Sequence, residues 1–251
     1  MTKTVTDGNG TTHFFDVSPG TRTRSPRDKI GAAMLFIPLA TKMVEQVPML
    51  VYYHGHKGPD TIEGYVNSKK ERDFRSKLAA KKVLLVEPQG GPFSQFGTLA
   101  TPAGLATLIE QAMFIALTYG PPVRPMAPLG APIPKPKSLI LAGFSGGGDA
   151  LRAVVIDSKA DYINRLAEVW CFDCMYSGEG KAWSNWSIQT ARGNQHLRVR
   201  VTEKGFGETT GKPRAQYEDM IQAGLPIDGD FDAPVKTDHE TLPGMFIEKW
   251  L

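Results

Sequence analysis

"LILAGFSGGGDALRAVV", residues 139–155, sets an apolar run before four glycines and one serine, and an apolar-periodic segment after them. One glycine is normally enough for a turn. Here Ser145 has glycine at both second-neighbour positions, Gly143 and Gly147. That pattern describes a sharp strand-to-helix corner built to hold a hydroxyl clear of the backbone. It matches G-x-S-x-G, in which the side chains missing at the glycines let strand and helix pack closely. The helix that follows offers its first free N–H groups and its dipole to negative charge near the serine.

The segments on either side give the architecture. Apolar strands are expected at 12–18, 32–39, 47–55, 81–89, 137–145, 166–173 and 196–203. Most of the later ones are near-continuous apolar runs, as parallel strands covered on both faces require. Helical patterns fall between them at 67–82, 101–120, 147–158 and 212–224, with "PGMFIEKWL" last. The helix at 101–120 has Thr101 as N-cap, Pro102 in its first turn and Gly120 at its end. Strands alternating with helices predict one α/β domain spanning 1–251. Its central sheet is mostly parallel, with helices on both faces and no large cap domain. Residues 120–137 hold seven prolines and read as a stiff loop inside that domain.

Composition narrows the function classes. The net charge of +3 and the absence of a basic run interleaved with aromatics argue against nucleic acid as a partner. No segment has the length of a membrane span, and the N-terminus has no apolar core of signal-peptide length, so a cytoplasmic location is expected. Cys171 and Cys174 form a C-x-x-C pair on a strand, without a second ligand pair at zinc-finger spacing. They read as two buried structural thiols. "GFSGGGDA" lacks the lysine of a phosphate-binding loop, and "KGFGETTGKP" has the wrong glycine spacing and a proline in place of the magnesium-binding hydroxyl.

A second glycine-rich stretch, His54-Gly55-His56-Lys57-Gly58, ends an earlier strand. Acyl transfer at a serine needs two N–H donors aimed at the developing oxyanion. Gly146, after the serine, supplies one, and His56 is the candidate for the other. With these motifs the chain resembles the serine hydrolases of the α/β-hydrolase superfamily, of the esterase and lipase kind, over most of its length. The resemblance implies a Ser–acid–His triad in that chain order, no cofactor or metal, and a small ester or amide substrate cleaved through an acyl-enzyme.

The base follows by elimination among five histidines. His13 lies early in an expected edge strand, His54 and His56 belong to the glycine-rich loop, and His196 starts a strand. His239 follows the last strand-like segment and precedes a short apolar helix, where the resemblance to the superfamily places the general base. The acid is Asp173 at the end of an apolar strand, with Glu203 and Glu208 as alternatives one strand later, where the superfamily more commonly places it. Asp238, beside His239, is poorly placed to orient the ring. Aromatic residues at loop positions (Tyr53, Phe93, Phe96, Tyr176, Trp183, Trp186) could line an acyl pocket or fill the core, and "MYSGEGKAWSNW" could form a small lid. An acyltransferase or peptidase would use the same triad, and a silent hydrolase fold could serve as a binding module.

Overall fold

A computed structural model describes residues 3–17, 32–55, 62–66, 69–91, 94–120, 132–156, 161–175, 180–190, 195–202 and 235–251, with isolated positions at 218 and 222. Among the described residues, eight strands form one sheet: β1 Lys3–Thr6, β2 Gly10–Asp16, β3 Ala32–Pro38, β4 Met49–Tyr53, β5 Leu84–Pro88, β6 Leu139–Phe144, β7 Leu166–Phe172 and β8 His196–Arg200. Their order across the sheet is β1-β2-β3-β5-β4-β6-β7-β8. The five strands from β5 to β8 run parallel, and β1, β2 and β3 join by antiparallel pairing.

The helices are α1 Ile62–Val66, α2 Lys69–Lys81, α3 Pro102–Tyr119, α4 Gly148–Val155, α5 Gly180–Thr190 and α6 Leu242–Trp250. Side chains alternate along the strands, so neighbouring apolar residues feed two cores. Leu35, Val51, Val86, Leu141 and Val169 pack on one face with Leu105, Leu108 and Ala112 of α3, Leu151 of α4 and Trp183 of α5. Met34, Leu50, Leu85, Ile140 and Trp170 pack on the other with Phe74 and Leu78 of α2 and Phe246, Ile247 and Trp250 of α6. Two-sided burial is the reason the strands read as continuous apolar runs.

Several expectations need correction. The strand at 3–6 has little apolar character to announce it, because all four residues are exposed. It pairs outside β2, so His13 lies on an interior strand and β1 takes the edge. The helical stretch expected at 67–82 is α2, preceded by a separate short α1, and Lys81 belongs to the helix rather than to the strand after it. The cap of α3 is as read: the Gly104 N–H donates to Thr101 Oγ1 at 3.1 Å. Of the helix expected at 212–224 only positions 218 and 222 are among the described residues, both helical, and the prolines at 121–131 lie outside them.

The order reverses at β4, since the chain next adds β5 on one side and later β6 on the other. Crevices at the carboxyl ends of strands flanking such a reversal are where open α/β sheets bind ligands. The C-terminal ends of β4 and β6 lie side by side, with Tyr53 in register with Gly143.

Candidate active site

Ser145 follows β6 directly. Its backbone lies in the left-handed region, φ 49°, where a non-glycine residue is strained. A single 3₁₀ turn, Ser145–Gly147, separates it from α4. Close approaches require glycine at 147 and 148, and Gly143 sits at a tight contact. A Cβ on Gly143 would meet Leu151 Cβ of α4 at 3.1 Å. One on Gly147 would overlap the Tyr53 carbonyl at the end of β4, and one on Gly148 would overlap the Cys174 carbonyl beyond β7. The corner is thus packed against both neighbouring strands, not only against its own helix. A Cβ on Gly55, after β4, would stand 2.8 Å from Ser145 Cβ, so the glycine-rich loop reaches the serine itself.

His54 fixes the chain at Gly55. The Gly90 N–H donates to His54 Nε2 at 3.0 Å, which leaves Nδ1 as the protonated nitrogen, donating to the Gly55 carbonyl at 2.8 Å. Both ring nitrogens of this buried histidine are therefore occupied in holding backbone. Gly146 is buried in the turn after Ser145. His56 lies outside the described residues.

Asp173 stands one residue past β7, also in the left-handed region at φ 44°, and is 1% exposed. A buried carboxylate is costly unless hydrogen-bonded. Its Oδ1 accepts from the Thr202 N–H at 2.7 Å, and its Oδ2 accepts from Thr202 Oγ1–H at 2.6 Å and from His239 Nδ1–H at 2.9 Å. The Asp173 N–H donates to the Arg200 carbonyl at 2.9 Å, tying the turn to β8. His239 opens a short 3₁₀ turn, His239–Thr241, that leads into α6. With Nδ1–H bound to the carboxylate, Nε2 is the basic nitrogen of its ring. The Phe144 ring, one residue before Ser145, lies 4.5 Å from the imidazole between centroids.

The structure therefore joins Asp173 to His239 and sets His239 against the residue preceding Ser145. Glu203 and Glu208 lie outside the described residues. His13 is engaged elsewhere, with Nδ1 3.1 Å from Thr4 Oγ1, and His196 is exposed on β8. Asp238 caps the turn through its backbone carbonyl, which accepts from the Thr241 N–H. Tyr53, Phe96, Trp183 and Trp186 are buried with the core, which answers their ambiguity in the sequence, while Phe93 and Tyr176 lie outside the described residues. Cys171 and Cys174 are buried and are not joined in a disulfide. Among the described residues, no group of three or more His, Cys, Asp or Glu could hold a metal ion, and no helix is long and apolar enough to cross a membrane.

Two residues of the site escaped the sequence reading. Thr202 lies two residues past β8, and a threonine there carries no signal in the sequence. Phe144 occupies the x before the serine of G-x-S-x-G, a position the motif leaves open.

No protein-family model matches the chain, and no curated protein matches it by sequence. Solved structures do. The feruloyl esterase module from Clostridium thermocellum, complexed with sinapinate, superposes with a TM-score of 0.59 at 14% identity, covering 96% of this chain and 86% of that one. A cold-adapted esterase from an Arctic intertidal metagenomic library, bound to PEG, gives 0.54 at 12% identity, covering 100% and 94%. At these identities the likeness is one of fold.

Proposed function

We propose that this chain, which has the α/β-hydrolase fold, is a serine esterase that cleaves a carboxylic ester through an acyl-enzyme. The observation that carries the reading is the Asp173–His239 hydrogen bond beside a serine held at positive φ on a strand-to-helix corner. Esterases stand among its structural neighbours, which favours an ester over other acyl substrates.

In the proposed cycle, His239 Nε2 takes the Ser145 proton as Oγ attacks the ester carbonyl carbon. Asp173 holds the Nδ1–H tautomer and stabilises the imidazolium. The N–H groups of Gly146 and His56 receive the negative charge that develops on the carbonyl oxygen. The tetrahedral intermediate collapses as His239 returns the proton to the leaving alkoxide, releasing an alcohol and leaving Ser145 acylated. Water, deprotonated by the same imidazole, then attacks the acyl group and frees the carboxylic acid and the serine.

The test is labelling of the purified protein with a fluorophosphonate, followed by peptide mapping, together with turnover of p-nitrophenyl esters. A single adduct on Ser145 and loss of both signals in a folded Ser145→Ala variant are expected. No adduct on folded protein would move the reading to a hydrolase fold used for binding.

A further inference from the structure

Resting on the esterase reading, the geometry points to a further positioning residue: we infer that Thr202 sets the plane and rotamer of the Asp173 carboxylate and pins the segment that delivers His239. The terminal torsion of an aspartate is broad, so a carboxylate that must present one oxygen to an imidazole needs an external constraint. Thr202 supplies two contacts from one residue. Its N–H engages Oδ1 at 2.7 Å and its hydroxyl engages Oδ2 at 2.6 Å. These hold both oxygens and so define the carboxylate plane. Oδ2 is the same oxygen that accepts from His239 Nδ1.

The hydroxyl is itself well directed, since a β-branched side chain is stiff at χ1. Thr202 is 2% exposed, so water does not compete for either contact. A third link runs through the backbone. Thr202 pairs in parallel with Val235, whose N–H donates to the Val201 carbonyl at 2.9 Å. His239 follows Val235 by four residues. One residue just past β8 therefore governs where both members of the Asp–His pair stand. Thr202 directly precedes Glu203, the alternative acid one strand after Asp173, and the chain there supplies a clamp for an acid on the neighbouring strand.

The test compares Thr202→Val, Thr202→Ser and wild type with a p-nitrophenyl ester, each checked for cooperative melting. Val keeps the backbone N–H and the approximate volume but removes the hydroxyl. Losing a hydrogen bond to a charged group predicts a fall in kcat of about 10- to 100-fold for Thr202→Val. KM should stay within about twofold, because the lost contact serves the transition state rather than substrate binding. Thr202→Ser, which restores the donor, should recover kcat to within about threefold of wild type, the residue reflecting lost χ1 stiffness. If Thr202→Val melts early, Thr202→Ala takes its place with the same expectation.

A kcat for Thr202→Val (or Thr202→Ala) within about twofold of wild type overturns the inference, since a hydrogen bond to a charged group would cost more. Equal damage in Val and Ser overturns it too, because shape and not the hydroxyl would then matter. A Ser145→Ala control separates the two readings: turnover surviving in that variant would sink the esterase assignment itself, whatever Thr202 does.

Discussion

The Phe144 ring lies against the His239 imidazole, with 4.5 Å between centroids and 34° between planes. Phe144 is the residue before Ser145, so the ring spans from the strand that leads into Ser145 to the turn carrying His239. Gly55 lies close to the same ring: a Cβ there would stand 3.1 Å from Phe144 Cδ1. In the proposed cycle the imidazole becomes an imidazolium, and an aromatic face favours the cation by ~0.5–2 kcal/mol. Phe144→Leu should therefore lower kcat by about 2- to 30-fold while the fold is retained. Steady-state kinetics beside a melting curve checks this. An unchanged kcat would make Phe144 a packing residue alone.

Asp173→Asn keeps the shape of the acid and removes its charge. An amide in place of the proposed acid disfavours the Nδ1–H tautomer, and a loss in kcat of roughly 10³- to 10⁴-fold is expected. Glu203→Gln and Glu208→Gln should change kcat only slightly. The three variants measured side by side on one ester decide which acid serves His239. A large loss in either glutamine variant with near-normal Asp173→Asn would reverse the assignment.

Gly148 has helical dihedrals, φ −61° and ψ −37°, so its conformation does not demand glycine. In an exposed helix interior, alanine would be favoured there by ~1 kcal/mol. The Cys174 carbonyl decides otherwise, because a Cβ would overlap its oxygen. Gly148→Ala should destabilise the protein by about 1–3 kcal/mol or more, the cost of overpacking a tight contact. Chemical denaturation gives the sign directly, and stabilisation would contradict the close packing of this corner.

The seat of α6 is aromatic. Trp250 stacks on Phe172 of β7 at 5.1 Å and 19° between planes. The buried Arg200 guanidinium lies 4.8 Å from the Phe246 ring and 5.1 Å from that of Trp250. Trp250→Ala should cost about 3–5 kcal/mol, as truncation of a buried aromatic does. Because α6 follows the His239 turn, ester turnover should fall along with stability. Urea unfolding and kinetics on the same preparation test the pairing, and a drop in stability without loss of turnover would uncouple them.

His13 predicts a pH dependence of stability. Burial disfavours its charged form and lowers its pKa from the ordinary 6.5. As pH falls, the unfolded chain takes up the proton first. The contribution of neutral His13 is therefore full above 6.5 and is lost as pH falls through 6.5 toward the lowered folded value. His13→Gln does not titrate there. Urea unfolding of both proteins at about pH 7.5 and about pH 5.5 should show wild type losing stability relative to the variant. A pH-independent difference would mean that His13 titrates alike in both states.

Much of this was legible along the chain because it depends on local pattern. Two-sided burial makes β4 to β7 read as apolar runs, and close approach demands the glycine at 147 and favours the one at 143. The cap of α3 needs only a threonine beside a proline. The strained corner at Ser145 is likewise a short-range matter of strand, glycine and helix. What required the tertiary structure is everything that joins distant segments. β1 is exposed throughout and exists by virtue of its hydrogen bonds to β2. Gly148 matters because of a carbonyl 26 residues further on, and the 2.9 Å contact between Asp173 and His239 spans 66 residues of chain. Thr202 is the clearest instance. A threonine just past a strand carries no signal in one dimension, and only the register of β7 beside β8 brings its two donors onto the Asp173 carboxylate.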